Sequence, residues 1–564
     1  MNNLKYFLFA LLCPLLLSAQ TYSDFYSFDM CTGPYMYWHH FYLLPHKVDT
    51  VQVSGGKPFL RYESESFNGV YLPLRACQEQ TVLLPDGPKK NCEVVIRYKN
   101  PLLPQASLRV ILYDQSQKML EHYETPLHTD KKRTSLNVPV ADAASLKISV
   151  QLSDTTMVRK ELDLYGIDMR IDGKDINSFP LNQGYASEVD LDCLKKGLPE
   201  IPEKRIIGIG ENMHGTSTLW DQAFDIIKDR ILHHRCRLVL LEYAPETIIS
   251  DSYLMTDNKS GQLPDSLLLP SFLYPELLSW IKEYNRTAER KVIVAGVDNV
   301  DVYANEFRYL LYCISLLEND SSLKALSFLS FKDFYKEIEK NEKTWNHFTP
   351  EEQFILRHTL SQHSLINELS RTRNLQSLRD SIMAENATAF LEHFCEEGES
   401  AVIWGHYGHI GKLCRFNRPY DDVRSLGNIL QEKYSDDYYC LGLFGMEGTR
   451  YCFPAPDLIY YQDVNSSGFS PSSIEYRLKN SFETCWLPCG AFPDKDVLTN
   501  FSGSTAFSYG NRFLNLRRSS DAVAYIRYVN APTNIPYLRN VKKKADLLYQ
   551  FQCQYLMERF SKHK

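Results

Sequence analysis

The pattern of hydrophobic and polar residues changes near residue 200. Before it, short apolar or alternating runs recur between polar turns that contain Gly and Pro, which is typical of a β-sandwich. The predicted strands there are 92–98, 107–113, 135–140 and 146–152. After it, apolar runs alternate with amphipathic segments, as in βαβ units. The sequence therefore predicts a β-sandwich domain at 21–180, a linker at 181–202, and an α/β domain at 203–535 whose mostly parallel sheet is flanked by helices.

Four apolar runs in the second region have the length of parallel strands that are covered on both faces. The runs are 205–209, 238–241, 292–297 and 401–404. Each is followed by ionisable side chains, which in chain order are Glu211 with His214, Glu242, Asp298, and His406 with His409. Because open α/β sheets bind ligands at the carboxyl ends of their strands, we expect these side chains to share one site.

Amphipathic spacing predicts a helix from about residue 219 to residue 233, directly after the first of these runs. A longer helical insertion is predicted at about 302–398, where it would form a lid or pocket wall above the strand ends. Within it, Thr349-Pro350-Glu351-Glu352 is a favourable helix start, with Thr as the cap, Pro in the first turn and acids near the positive end of the helix dipole. A further amphipathic helix is predicted at 536–564.

Charge and the amino-terminal residues narrow the class of protein. A net charge of -7 without a large Lys/Arg cluster argues against a nucleic-acid partner. Lys5, the apolar run 7–17 and the small residues of Ser18-Ala19-Gln20 are typical of a secretory signal peptide at 1–20. That apolar run is too short to span a bilayer, and no later run is long enough. We therefore expect a protein that is exported to the periplasm or the extracellular space.

The imidazoles and carboxylates at the strand ends are side chains that can act as general acids and bases in catalysis. A His with a pKa near ~6.5 is a natural general base toward water at neutral pH. In the simplest reaction, His214 takes a proton from water and the hydroxide attacks a carbonyl, while a second His stabilises the oxyanion or protonates the leaving group. The sequence lacks a Gly-x-Ser-x-Gly motif, a His-Glu-x-x-His motif and a phosphate-binding loop, which favours activated water over a covalent intermediate.

Other interpretations of the same residues stay open. Glu211 either orients His214 or satisfies turn amides, and Asp298 serves equally well as a cap. No cofactor is expected, but Asp, Glu and His together also bind divalent ions, so a metal-dependent hydrolase at the same site is one alternative. The other is a glycan-binding or scaffold protein with a decayed site.

Aromatic residues are dense at the start of the first domain. They include Tyr22, Phe25, Tyr26, Phe28, Tyr35, Tyr37, Trp38 and Phe41. Such rings stack on sugars, which would make the sandwich a carbohydrate-binding-like domain with a glycan as partner. Packing in the core is the competing explanation, since aromatic residues are preferred in strands.

Several segments of the second region, in this order and spacing, resemble the erythromycin esterase family. They are Gly210-Glu211-Asn212-Met213-His214-Gly215-Thr216, Leu241-Glu242, residues 278–285, Gly296-Val297-Asp298, residues 379–384 and Trp404-Gly405-His406-Tyr407-Gly408-His409. The resemblance covers roughly 203–535. It implies an α/β core with a helical insertion, and hydrolysis of a macrolide lactone by His-activated water without a required metal.

The resemblance also implies roles for particular residues. His214 would be the base, and Glu211, Glu242 and His406 would support it as catalytic residues. Asp298 and His409 are predicted to bind a small ester or lactone substrate. Arg230 is the candidate for the arginine that the family uses near its first motif. The chain departs from the family pattern at Asn212-Met213 and Tyr407-Gly408, and these differences bear on the substrate.

Overall fold

The computed structural model divides the chain into two compact units, 1–183 with 507–509, and 184–506 with 510–564. The structure describes the following residues, apart from short gaps within the ranges: 39–51, 59–254, 275–298, 305–369, 375–413, 424–464, 473–501 and 511–532, together with 263, 469 and 550. The predicted signal peptide, most of the aromatic segment and, except for residue 550, the predicted carboxyl-terminal helix lie outside them.

The first unit is built from antiparallel strands. They are β1 His39–Tyr42, β2 His46–Val51, β3 Phe59–Ser64, β4 Ser66–Phe67, β5 Val70–Tyr71, β6 Leu74–Leu83, β7 Asn91–Lys99, β8 Ala106–Tyr113, β9 Met119–Pro126, β10 Arg133–Pro139, β11 Ser145–Asp154, β12 Glu161–Ile171 and β13 Lys174–Asp175. One sheet has the order β1-β6-β11-β8-β9 and the other has the order β10-β7-β12-β3-β2. Buried residues alternate along β7, as a half-buried strand requires. The predicted β-sandwich is confirmed.

The second unit contains a large mixed sheet. Its strands are β14 Lys195–Lys196, β15 Ile206–Glu211, β16 Cys236–Leu241, β17 Ile293–Gly296, β18 Ser400–His406, β19 Tyr438–Ala455, β20 Leu458–Val464, β21 Thr484–Pro488 and β24 Ala522–Val529, while β22 Val497–Asn500 and β23 Asn511–Leu514 form a separate hairpin. The order is β14-β21-β24-β19-β15-β18-β16-β17, and every pair from β24 to β17 is parallel. The predicted mostly parallel sheet is confirmed.

Every residue of β15 and β18 is buried, as expected for central parallel strands. The predicted run at 205–209 is longer in the structure, where β15 continues through Gly210 to Glu211. The reason is packing: a Cβ at Gly210 would lie 2.8 Å from Cδ2 of Tyr407, so this glycine makes room for a buried ring rather than a turn.

Helices cover the parallel strands. They are α1 Ser217–His233, α2 Pro245–Leu254, α3 Pro275–Thr287, α4 Asn305–Leu317, α5 Ser321–Ser327, α6 Phe331–Ile338, α7 Glu342–Trp345, α8 Pro350–Leu369, α9 Leu375–Phe394, α10 Tyr407–Ile410, α11 Leu426–Tyr434, α12 Ile474–Leu478 and α13 Leu516–Ser519. The segment between β17 and β18 is the helical insertion, α4 to α9. Thr349 and Glu352 cap α8 reciprocally, side chain to backbone in each direction. No helix of the described residues is long and apolar enough to cross a membrane.

Candidate active site

Four neighbouring strands deliver polar side chains to one edge of the sheet. In the order β15, β18, β16 and β17, their carboxyl ends carry Glu211, His406, Glu242 and Asp298. The strands are parallel and in register, with Glu211 paired to His406, so these ends lie side by side. His214 follows β15 in the next turn and His409 lies on α10 after β18. Because the strands are parallel, residues that are far apart in the sequence lie close together at one edge of the sheet.

One half of the site is a pair of imidazoles. Nδ1 of His214 lies 2.6 Å from Oε1 of the buried Glu211. The ring centroids of His214 and His406 are 4.8 Å apart. Since a carboxylate accepts a hydrogen bond, Nδ1 of His214 carries the proton and Nε2 is left as the basic nitrogen. The His214 side chain is 25% exposed, so a water molecule has access to it.

Burial and neighbouring charge act in opposite directions on His214. Burial lowers its pKa, but the hydrogen bond and charge of Glu211, together with the charge of Glu242, outweigh burial and raise the pKa above its ordinary value. Burial is also the largest influence on Glu211 and raises the pKa of that carboxyl, against the stabilising effect of His214. The pKa values of both groups are therefore raised, that of His214 by its acidic neighbours and that of Glu211 by burial.

Two glycines create the space that this arrangement needs. Gly215 has φ +87°, and a Cβ there would lie 2.0 Å from the carbonyl oxygen of Tyr451. Instead, the Tyr451 N–H donates to the Gly215 carbonyl at 2.9 Å and fixes the turn after His214. At Gly405, a Cβ would lie 2.8 Å from Cβ of Glu242. Both glycines are required by the close approach of other groups.

The other half of the site is built around one guanidinium. Arg379, at the start of α9, donates from Nε to Oδ1 of Asp298 at 2.9 Å and from Nη2 to Oδ2 of Asp298 at 2.5 Å. Nη2 also donates to Oε1 of Glu242 at 2.9 Å. The bidentate contact and the second carboxylate hold Arg379 in a fixed orientation. Its side chain remains 27% exposed.

His409 completes this half. Its Nδ1 lies 2.5 Å from Oδ1 of the buried Asp380, which follows Arg379 on α9. Its Nε2 lies 3.1 Å from Nη1 of Arg379 and 3.3 Å from Oε1 of Glu242. A neutral His409 accepts from Arg379 at Nε2, whereas a protonated His409 donates to Glu242 there. The protonation state of His409 therefore decides which partner it engages.

Glu242 connects the two halves. Its Oε2 accepts the backbone N–H of His406 at 2.6 Å, while its Oε1 faces Arg379 and His409. Burial raises the pKa of Glu242, but the charges of His409, Arg379, His214 and His406 together bring it far below the ordinary value. Glu242 is therefore a permanent carboxylate, and its charge reaches the imidazoles on both sides.

Comparison with known proteins addresses the family. Residues 335–528 match the family model described as erythromycin esterase. This part of the second unit is similar to the erythromycin esterase family. The match confirms the resemblance over 335–528 and supports a hydrolase; it includes Arg379 and His406, while Glu211, His214, Glu242 and Asp298 precede it.

Solved structures resemble parts of the chain. A succinoglycan biosynthesis protein is 17% identical with a TM-score of 0.44, over 62% of this chain and 97% of that chain. A mutant of the erythromycin esterase EreC in its open conformation is 16% identical with a TM-score of 0.39, over 59% of this chain and 93% of that chain. A family 16 carbohydrate-binding module is 13% identical with a TM-score of 0.18, over 22% and 85%. Curated protein sequences give no match.

Two strand-end acids of the site are paired with a cationic side chain. Asp298 and Glu242 both bind Arg379. Among the residues that the structure describes, no three His, Cys, Asp or Glu side chains are grouped in a way that suits a common metal ion. The donor set does not fit a divalent ion as the guanidinium now lies, and the metal-dependent alternative stays a prediction.

The structure brings together six of the seven predicted site residues of the erythromycin esterase-like unit. They are Glu211, His214, Glu242, Asp298, His406 and His409. Arg230 lies elsewhere, near the end of α1 and the amino ends of the strands, where it donates to Glu203 at 3.0 Å and to the Ile201 carbonyl at 3.4 Å. The helix carries it away from the site, because thirteen residues after Ser217 correspond to roughly 20 Å along the axis.

Arg379 and Asp380 are site residues that the strand-end pattern missed. They lie on a helix of the insertion. Hydrophobic periodicity predicts that helix but does not indicate which of its residues lie near the ends of the strands. A signal was present, since residues 379–384 form one of the segments that resemble the erythromycin esterase family. That segment contains both Arg379 and Asp380.

Proposed function

We propose that the erythromycin esterase-like unit hydrolyses an ester or lactone bond of a small molecule, macrolide-type or other, with water activated by His214. The observation that carries this proposal is the contact of His214 Nδ1 with the buried Glu211 carboxylate. It leaves Nε2 as a base on a partly exposed ring. A second imidazole, His406, lies within 4.8 Å and faces the same space.

The reaction follows from these positions. Nε2 of His214 takes a proton from water, and the hydroxide adds to the carbonyl carbon of the substrate. The tetrahedral intermediate expels the alcohol oxygen, which receives a proton from an imidazolium. His406 is placed to stabilise the oxyanion or to deliver that proton. One water molecule is consumed, an acid and an alcohol are formed, and the enzyme recovers its starting protonation state.

Arg379 takes a substrate role that we had assigned to other residues. Asp298, predicted to bind substrate, is nearly buried and engaged by Arg379. The partly exposed guanidinium is thus the group through which Asp298 and His409 act on a bound substrate. Its charge suits the carbonyl oxygen or the carboxylate product.

Export to the periplasm or the extracellular space is part of the proposal. It rests on Lys5, the apolar run 7–17 and the small residues that follow it. Amino-terminal sequencing of the protein recovered from an exported fraction checks it, with cleavage after the small residues as the expected result. An intact leader on the recovered protein would contradict it.

A panel of small esters and lactones, including a macrolide, tests the activity. The full chain is assayed before and after treatment with a chelator, beside His214→Ala. We expect hydrolysis of at least one substrate by the wild type in both conditions and a loss of about 10²- to 10⁴-fold in the variant. Loss with chelator and rescue by a divalent ion would favour the metal-dependent alternative. Full activity of His214→Ala would refute the assigned role.

A further inference from the structure

A buried carboxyl group outside the proposed reaction lies in α12. Glu475 is almost fully buried, and its Oε1 accepts two hydrogen bonds from β22. Thr499 Oγ1 donates to it at 2.6 Å, and the backbone N–H of Asn500 donates to it at 2.8 Å. Its Oε2 is buried and has no hydrogen-bond partner among the described residues. An acid is rarely kept in such a place without a specific contact that requires it.

The segment that Glu475 holds is connected to the base. The carbonyl of Asn500 accepts from Asn212 Nδ2 at 2.9 Å. Asn212 also exchanges hydrogen bonds with the backbone of Gly445, from Nδ2 at 3.2 Å and to Oδ1 at 2.8 Å. Asn212 lies in the turn between Glu211 and His214, so this network fixes the position of that turn.

The same segment also contacts the second imidazole. Phe501, the residue after Asn500, is buried and packs edge-on against His406 with ring centroids 4.6 Å apart. Two neighbouring residues of one segment thus contact His406 directly and, through Asn212, the turn that leads to His214. A displacement of β22 at Asn500 would change the distance between His214 and His406.

We propose that Glu475 is a positioning residue that sets the spacing of His214 and His406 through Asn500 and Phe501. The inference rests on the proposed function only for its catalytic readout. Glu475 contacts neither substrate nor the reacting groups. It acts by fixing the one segment that touches Asn212 on one side and His406 on the other.

Burial favours the neutral form of the Glu475 carboxyl group. Burial is the largest influence and raises the pKa of Glu475, against the hydrogen bonds from Thr499 and Asn500. The titratable group that it affects across the sheet is Tyr525 on β24, whose pKa is raised by burial and by Glu475. A carboxylate there would leave a buried charge at Oε2, whereas a proton removes that charge. Gln, which is neutral and of similar shape, should replace Glu475 with little change.

The test compares Glu475→Ala and Glu475→Gln in the full chain, with the exposed Glu483→Ala as the control. Two readouts are used: kcat and KM on an ester from the panel, and the imidazole signals of protein labelled with ¹³C at His. The His406 signal is assigned by its loss in His406→Gln. Phe501→Leu shows where that signal moves once the ring current of Phe501 is removed.

We expect Glu475→Ala to move the His406 signal toward its position in Phe501→Leu and to lower kcat on the order of 10- to 100-fold with little change in KM. Glu475→Gln should keep both at wild-type values. An Ala variant that is less stable but retains the His406 signal and kcat would show a merely structural role and overturn the proposal.

Two further outcomes remain decisive. If Glu475→Ala does not fold, Thr499→Val removes one of the two hydrogen bonds to Oε1 and must displace the His406 signal in the same direction. If it does not, the proposal is wrong. If the wild type hydrolyses no ester, the proposed function fails, but the NMR comparison still shows whether Glu475 sets the position of His406.

Discussion

Two groups of Arg, Glu and His side chains lie at opposite ends of one parallel sheet. At the amino ends of the strands, Glu203 pairs with Arg230 and His234. At the carboxyl ends, Glu242 pairs with Arg379 and His409. The residue types are the same, but the Glu203 side chain is 70% exposed and the Glu242 side chain is 11% exposed.

The difference in burial distinguishes a surface ion pair from a candidate active site. The amino-end acid is hydrated and screened by water, so its partners gain little from it. The carboxyl-end acid is shared by a guanidinium, an imidazole and the backbone N–H of His406. Its charge therefore reaches the imidazoles that would carry the chemistry. The two groups contain the same residue types, so composition does not distinguish them. Their positions at opposite ends of the strands do.

Replacing the arginine of each group gives the largest expected contrast. Arg379→Met leaves Asp298 and Glu242 buried without their cation, which should cost about 3 kcal/mol in the free energy of unfolding and lower kcat about 100-fold. Arg230→Met should cost at most about 1 kcal/mol and leave kcat unchanged, because its acid is exposed. Urea unfolding and ester hydrolysis measure both. Equal losses in the two variants would remove the distinction between the groups.

Replacing the histidine of each group gives the next contrast. His409→Gln should lower kcat roughly tenfold, since Arg379 loses the imidazole that is held by Asp380 and becomes less well oriented. His234→Gln should keep wild-type kinetics. Steady-state kinetics on the same ester provide the measurement, and thermal unfolding serves as the control for folding. An unaffected His409→Gln would show that this imidazole is dispensable.

Glu211→Gln tests the electrostatics of the base itself. The carboxylate raises the pKa of His214 because it stabilises the imidazolium. Its removal lowers that pKa, so the rising limb of kcat/KM against pH should move to lower pH, with a smaller maximal rate. A pH–rate profile from about pH 5 to 9 shows the shift. A limb that stays in place would mean that Glu211 does not act on the titrating group.

The smallest contrast concerns acid stability. The pKa of Glu242 is lowered in the folded protein, so its carboxylate stabilises the fold above the unfolded value near ~4.3, and this contribution is lost as pH falls. The stability difference between wild type and Glu242→Gln should therefore begin to shrink as the pH falls below about 5 and should continue to shrink toward the depressed pKa of the folded protein. For Glu203→Gln, it should change little, because water screens that exposed acid. Parallel dependence in both variants would contradict the comparison.

The periodicity of the sequence predicted the elements that depend on local pattern. The predicted strand at 401–404 lies inside β18, and the predicted strand at 238–241 lies inside β16, because continuous apolar runs of this length suit a parallel sheet that is covered on both faces. The predicted helix from about residue 219 to residue 233 lies inside α1.

Site residues at the ends of strands were predictable from the sequence, whereas site residues on helices were not. Glu211, Glu242 and Asp298 follow buried strands, so parallel pairing alone brings them together. Arg379 lies on a helix whose docking depends on tertiary packing, and local pattern gives no direction for its side chain. Arg230 failed as a candidate for the opposite reason: it is close to His214 in sequence, but the length of α1 separates them.

The titration of His214 tests the central claim most directly. Its pKa is measured by NMR in ¹³C-His-labelled wild type, assigned with His214→Ala, and compared with the rising limb of kcat/KM for an ester. We expect one value for both, above the ordinary value of ~6.5, because Glu211 and Glu242 outweigh burial. A His214 that titrates away from the kinetic limb, or below that ordinary value, would contradict its assignment as the base that activates water.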